Sequence, residues 1–221
     1  MNDAHPMNDA HPMNDAHPMN DDYDQFRSAA MPHWLLGLKV ALAALLLTGA
    51  LFPQVGGFEG KGMAFRLPLF LAPALIVPIR HRLALRHDPG RRYPWALDVG
   101  LTVPFLLDTI GNAVGLYDHV DVTDDVLHFV NWVFLVGGIT AAIGFAVRGA
   151  SPRWLVWLAG AGVGSAAIIA WEVAEYGVMQ AGVSSLSLTY GDTLGDLVLS
   201  SCGGAVGAWW ITRRAERGRP H

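Results

Sequence analysis

The sequence predicts an all-α protein, a six-helix transmembrane bundle preceded by a disordered N-terminal tail. Three observations carry that expectation. Of the 221 residues, 52% are hydrophobic and only 15% charged, against about 25% charged in soluble domains. Several apolar runs approach the roughly 20 residues that cross the hydrocarbon core of a bilayer. Lysine and arginine collect in alternate connecting segments, the pattern that orients helices with their basic loops in the cytoplasm. The net charge of −4 belongs to the tail: residues 1–32 hold six aspartates against Arg27, leaving 14 basic and 13 acidic residues in the remainder. With no strongly basic face, the composition excludes a nucleic-acid partner. Cys202 is the one cysteine, so neither an intrachain disulfide nor a cysteine zinc knuckle can form.

The tail, residues 1–32, opens with three identical MNDAHP copies through Pro18 and begins a fourth at Met19. So little apolar surface cannot offset chain entropy, which predicts disorder. His5, His11 and His17 offer loose ligands for a divalent metal, but a tandem duplication without a ligand role is the simpler reading. The transmembrane body, residues 33–214, starts with Trp34 to Phe52, apolar except for Lys39. Lys39 stands close to the start of that run, where a lysine is expected to snorkel to the interface. Phe65 to Ile79 carries Pro68, Pro73 and Pro78 and should be kinked or tilted. Pro94 to Leu116, Val126 to Val147, Trp154 to Val178 and Thr193 to Thr212 complete six spans, and a short basic tail follows at 215–221.

Orientation follows from the basic residues. Arg80, Arg82, Arg86, Arg91 and Arg92 lie between spans two and three, Arg148 and Arg153 between four and five, and Arg213, Arg214, Arg217 and Arg219 after six. These segments and both termini are therefore expected in the cytoplasm, with only Lys61 and Arg66 running against the rule. Small residues at Gly137-Gly138, from Gly160 to Gly164 and from Gly203 to Gly207 let backbones approach closely in a bundle. They serve packing within the chain as well as between copies, so the oligomeric state stays open.

Nine of the 13 acidic residues of the body fall at the outer ends of spans three to six or in the loop between three and four: Asp108, Asp118, Asp121, Asp124, Asp125, Glu172, Glu175, Asp192 and Asp196. Ionisable groups within hydrocarbon cost about 2.5 to 3.5 kcal/mol each on insertion scales, so they are by default paired and functional. Asn112 stands one turn beyond Asp108, His128 one turn beyond Asp124, and Asp196 one turn beyond Asp192. Glu172 precedes Glu175 by three residues on span five. Oxygen donors with one imidazole suit a divalent cation, so Asp108, Asn112, Asp124, His128, Glu172, Asp192 and Asp196 form the candidate metal-ligand set. His128, Glu172 and Glu175 are the candidate acid, base or ligand groups for catalysis. The same crowding of carboxylates also suits shared protons.

Plainer readings stand beside these. Asp118, Asp121 and Asp124 fit a solvated loop or helix caps, and Asp192 fits an N-cap. Asp98 is expected to pair with Arg91 or Arg92. Ser184, Ser185 and Ser187 lie in a loop without a recognisable catalytic partner. Three functions remain open: metal-dependent chemistry on a lipid or cell-envelope headgroup at the outer leaflet, passage of a metal ion or protons, and a structural or regulatory role with a cation-stabilised polar network. Spans four to six are nearly apolar below the cluster, which disfavours a continuous path for ions.

The strings DTIGN (108–112), DDVLHF (124–129), WEVAEY (171–176) and YGDTLGDL (190–197) resemble the YjdF-type bacterial inner-membrane proteins, a family whose domain has no established activity. The likeness covers about the C-terminal two thirds of the chain. It departs from the pattern at Asp125, where a basic residue is usual, and the hexapeptide repeat has no counterpart there. The resemblance implies a polytopic helical fold in the bacterial cytoplasmic membrane. In the disposition of Asp, His and Glu the chain is also similar to VanZ-like membrane proteins, which are connected with the cell envelope.

Overall fold

The computed structural model describes residues 22–147, 151–180 and 189–217. The histidines of the repeat and the loop serines Ser184, Ser185 and Ser187 lie outside the described residues. Within them the chain is all-helical: α1 (His33–Leu51), α2 (Met63–Ala84), α3 (Trp95–Gly100), α4 (Val103–Ala113), α5 (Leu116–His119), α6 (Thr123–Ala146), α7 (Arg153–Gln180) and α8 (Tyr190–Arg217), with a short 3-10 turn at Asp24–Phe26. Five of these helices, α1, α2, α6, α7 and α8, are long and apolar enough to cross a membrane.

The element expected over 94–116 is not one helix. It breaks at Leu101 and Thr102 into α3 and α4. Pro104 accounts for the break: it has no N–H to give the Gly100 carbonyl, and its ring crowds the preceding turn. A restart at Val103 puts Pro104 in the first turn of α4, where the missing N–H costs nothing. In contrast, α2 runs helical through Pro68, Pro73 and Pro78. Neighbouring groups re-satisfy freed carbonyls in such a helix, and here Lys39 Nζ donates to the carbonyl of Ala74, the one that Pro78 leaves unbonded.

Helix α6 is the hub, packed against α3, α4, α7 and α8. Glycine makes its closest approaches feasible. A Cβ on Gly203 or Gly207 of α8 would strike the backbone oxygen of Phe129 or Val133 on α6. A Cβ on Gly100 would sit 3.1 Å from the Cα of Gly138, and the reverse holds equally. Without a hydrophobic drive between helices in lipid, such backbone approach supplies dispersion contacts that larger side chains would prevent. Around these crossings pack Trp132, Val136, Ile168 and Ala208, while Leu42, Leu46, Phe70 and Leu106 join α1, α2 and α4.

Two expectations are corrected. Lys39 does not snorkel: it is 7% exposed and donates to Asp98 Oδ1 at 2.6 Å and to Thr102 Oγ1 at 3.0 Å. Asp98 is wholly buried and pairs with Lys39, not with Arg91 or Arg92; the Tyr93 hydroxyl donates to its other oxygen. A buried carboxylate attracts the cation that can reach it inside the bundle, and partner loss there costs more than the pair contributes.

Residues 22–32, expected to be disordered, have a defined structure. They lie as a strap across one end of the bundle, with Tyr23 and Phe26 buried. Tyr23 covers Gly144 near the end of α6. Asp22 accepts from Arg153 at the start of α7 at 3.0 Å, and Gln25 donates to the Arg214 carbonyl near the end of α8. Trp95 Nε1 at the start of α3 donates to the Gln25 carbonyl. Tyr and Phe at these positions supply the apolar surface that the MNDAHP repeat lacks.

Candidate functional site

At the opposite end, the first two turns of α6 carry Asp124 and His128 one turn apart, on one face of the helix. On α8 the same spacing aligns Asp196 and Ser200. The two faces meet: His128 Nε2 lies 3.8 Å from Asp124 Oδ1 and 3.5 Å from Asp196 Oδ1, and His128 Nδ1 pairs with Ser200 Oγ at 3.0 Å. One donor atom from each of Asp124, His128 and Asp196 falls within 4.8 Å of the others. Donors on one ion with bonds of ~2.1 Å are at most ~4.2 Å apart, so a small inward rotation would close the set. Metal-ligating histidines are oriented by a hydrogen bond at the other ring nitrogen, and Ser200 Oγ occupies that position beside His128.

Helix α7 adds Glu172, 6% exposed, with both carboxylate oxygens buried and the Thr193 hydroxyl as a polar neighbour. Its charged neighbours are Asp196, Asp192 and Asp124. Half-buried Glu175 faces Glu172, His128 and Asp124. Asp196 itself is 3% exposed. Among the described residues no lysine or arginine pairs with Asp124, Glu172, Glu175 or Asp196.

Asp108 and Asn112 are engaged elsewhere. Arg66 donates to Asp108 Oδ2 at 2.6 Å, the Tyr117 hydroxyl to Oδ1 at 2.6 Å, and Asn112 Nδ2 to the Asp108 carbonyl at 2.9 Å. Lys61 pairs likewise with Asp118 at 2.6 Å. The two basic residues that ran against the charge rule are thus each neutralised by a local carboxylate. Burial first, and the Asp108 charge second, push the Tyr117 phenol above the ordinary tyrosine range. In an unfolded chain that phenol ionises near pH 10; folded, it keeps its proton higher. Its contribution is therefore complete below about pH 10 and lost as pH climbs further. The alkaline fall in Tm is expected to be shallower in Tyr117→Phe, and an unchanged pH slope would show that Tyr117 contributes nothing to it.

Asp192 is exposed in the first turn of α8, and its backbone N–H donates to Thr189 Oγ1 at 3.2 Å. Thr189 is therefore the cap, and Asp192 stands three residues into the helix, where an acid suits the dipole. Three residues that contact these groups, Ser200, Arg66 and Tyr117, are not singled out as site residues by the sequence. Ser200 was legible as the residue one turn past Asp196. Arg66 stands out only as an exception to the charge rule and Tyr117 carries no local signal, since only the tertiary fold brings them to Asp108. A cleft of about 390 Å³ at this end is lined by Gly57, Glu59, Ala113, Asp118 and His119 among others, and it does not include His128.

The family described as "Predicted membrane protein (DUF2238)" matches residues 35–217. No curated protein and no solved structure matches the chain. The chain belongs to the DUF2238 family of membrane proteins.

Proposed function

We propose that this DUF2238 protein is a six-crossing protein of the bacterial cytoplasmic membrane whose function resides in a divalent-cation site at the outer ends of α6, α7 and α8. Asp124, His128 and Asp196 would hold the ion, with Glu172 as the further carboxylate and Glu175 at the rim. One contrast carries this reading. Asp98 and Asp108 each have a permanently charged partner, Lys39 and Arg66, whereas the carboxylates around His128 have no lysine or arginine among the described residues and only that imidazole beside them. Uncompensated negative charge at low dielectric calls for a cation or for protons.

Six crossings are supported by the strap. It ties the starts of α3 and α7 and the ends of α6 and α8 to one level, while α6 begins at the other. On this reading the sixth crossing runs between the start of α3 and the start of α6, with α3 and α4 as a broken helix. The arginines gathered on the strap side favour the cytoplasm for it.

A bound divalent ion would supply Lewis acidity and a water of lowered pKa. Glu172 or Glu175 could then take a proton, and the outward position favours a lipid or envelope-linked headgroup as substrate. The YjdF-type resemblance of the strings and the VanZ-like disposition of Asp, His and Glu agree with an envelope setting. Transport is less favoured: directly below the cluster, α6 and α8 close on each other through Gly203 and Gly207 against backbone, leaving no polar route between them.

The test is metal content by mass spectrometry on the full chain with His5, His11 and His17 replaced by glutamine, which removes the repeat as a ligand source. About one divalent ion per chain is expected, and it should be lost on adding Asp124→Asn, His128→Gln and Asp196→Asn. An ion-free parent, or a variant that keeps the ion, would overturn the metal site.

A further inference from the structure

At the strap end, a cleft of about 270 Å³ opens between the end of α2 and the start of α3, lined among others by Ile76, Val77, Arg80, His81, Arg91 and Leu97. Its floor is apolar and its rim cationic. We propose that this cleft binds the phosphate headgroup of an anionic phospholipid from the leaflet on the arginine-rich side.

Charge is the first argument. Arg80 and Arg91 make no ion pair among the described residues, whereas Arg66, Arg92 and Arg153 each hold a carboxylate. Asp88, the one acid in the segment joining α2 to α3, pairs with neither of them. Both exposed arginines line the cleft and no acid does, and the planar guanidinium fork matches phosphate oxygens two at a time. His81 adds a ring nitrogen, Nδ1, that is buried without a hydrogen-bond partner. Its ring is fixed edge-on to Tyr93 at 4.9 Å between centroids, so the nitrogen is held in place before any ligand arrives.

Place is the second argument, and it selects a lipid over free phosphate. The rim stands where a membrane-crossing helix ends, and the apolar floor continues outward into Ile76, Ile79 and Leu83, all about half exposed. A headgroup in the cleft would therefore lay its acyl chains along a surface already suited to hydrocarbon. Basic pockets between helices on the cytoplasmic side have the composition that anionic headgroups favour.

The test uses the full chain, delipidated in detergent and offered phosphatidylglycerol or phosphatidylcholine of the same acyl length, with bound lipid counted by native mass spectrometry. Phosphatidylglycerol is expected to be retained about thirtyfold better, as two arginines near an anionic headgroup would give. The preference should vanish in Arg80→Gln with Arg91→Gln and persist in Arg82→Gln with Arg86→Gln, which removes the same charge outside the cleft. Circular dichroism establishes that both variants are folded. Equal retention of the two lipids, or an undiminished preference in Arg80→Gln with Arg91→Gln, overturns the proposal. So does equal loss in both double variants, which would mean diffuse attraction only. Displacement by an equal concentration of inorganic phosphate would make this a free-anion site and overturn the lipid assignment.

Discussion

Lys39→Met is expected to destabilise the protein by about 3 to 5 kcal/mol, the cost of leaving one buried charge without its partner. Asp98 is wholly enclosed, so it cannot regain water once the ammonium is gone. The carbonyl of Ala74 loses its donor in the same step. Adding Asp98→Asn should restore most of the loss, because the amide oxygen still accepts from the Tyr93 hydroxyl and no net charge remains. Unfolding in detergent, followed by circular dichroism across a denaturant series, measures all three proteins. A single variant within about 1 kcal/mol of wild type would show that the pair is not held at low dielectric, and a double variant worse than the single would show that the two sites do not compensate.

The second large effect falls on the α6–α8 crossing. Gly203→Ala and Gly207→Ala each put a methyl group against a backbone oxygen of α6, which cannot rotate away as the end of a side chain would. Overpacking of this kind costs about 1 to 3 kcal/mol per site. Gly203 lies one turn below Ser200, and Phe129, whose oxygen it would strike, follows His128 directly. Gly203→Ala should therefore part His128 from Asp196 and reduce metal retention along with Tm. Gly162 on α7 has open space where a Cβ would go, so Gly162→Ala should leave Tm unchanged or raise it, as alanine is the better helix former. If Gly203→Ala and Gly162→Ala melt together, the crossing is looser than its geometry requires.

Hydropathy and charge made the helical membrane body legible, because length and apolarity are properties of each segment alone. The positions of Asp124, His128, Glu172 and Asp196 followed from helical periodicity once the spans were placed. What escaped is tertiary in origin. Nothing beside Lys39 indicates that an aspartate 59 residues later will share its interior, and a lysine near the end of an apolar run is ordinarily an interfacial one. Pro104 did mark the break between α3 and α4, but the same residue type is absorbed three times within α2, so proline alone does not decide between kink and break. The strap was hidden by its neighbour: Tyr23 and Phe26 follow directly on a low-complexity repeat whose composition obscured them.

The separation of Lys39 from Asp98 also has a meaning in time. At translation rates of about 5 to 20 residues per second, α1 is made about 3 to 12 s before its counterion exists. Its own leucine and alanine run must hold a lone ammonium in the bilayer for that interval. Helix α3, six residues long and about 9 Å in extent, is too short to enter a membrane unaided and carries a carboxylate besides. If α3 and α4 make the sixth crossing proposed above, the earlier helix would act as a template, its charge drawing in the short helix that follows.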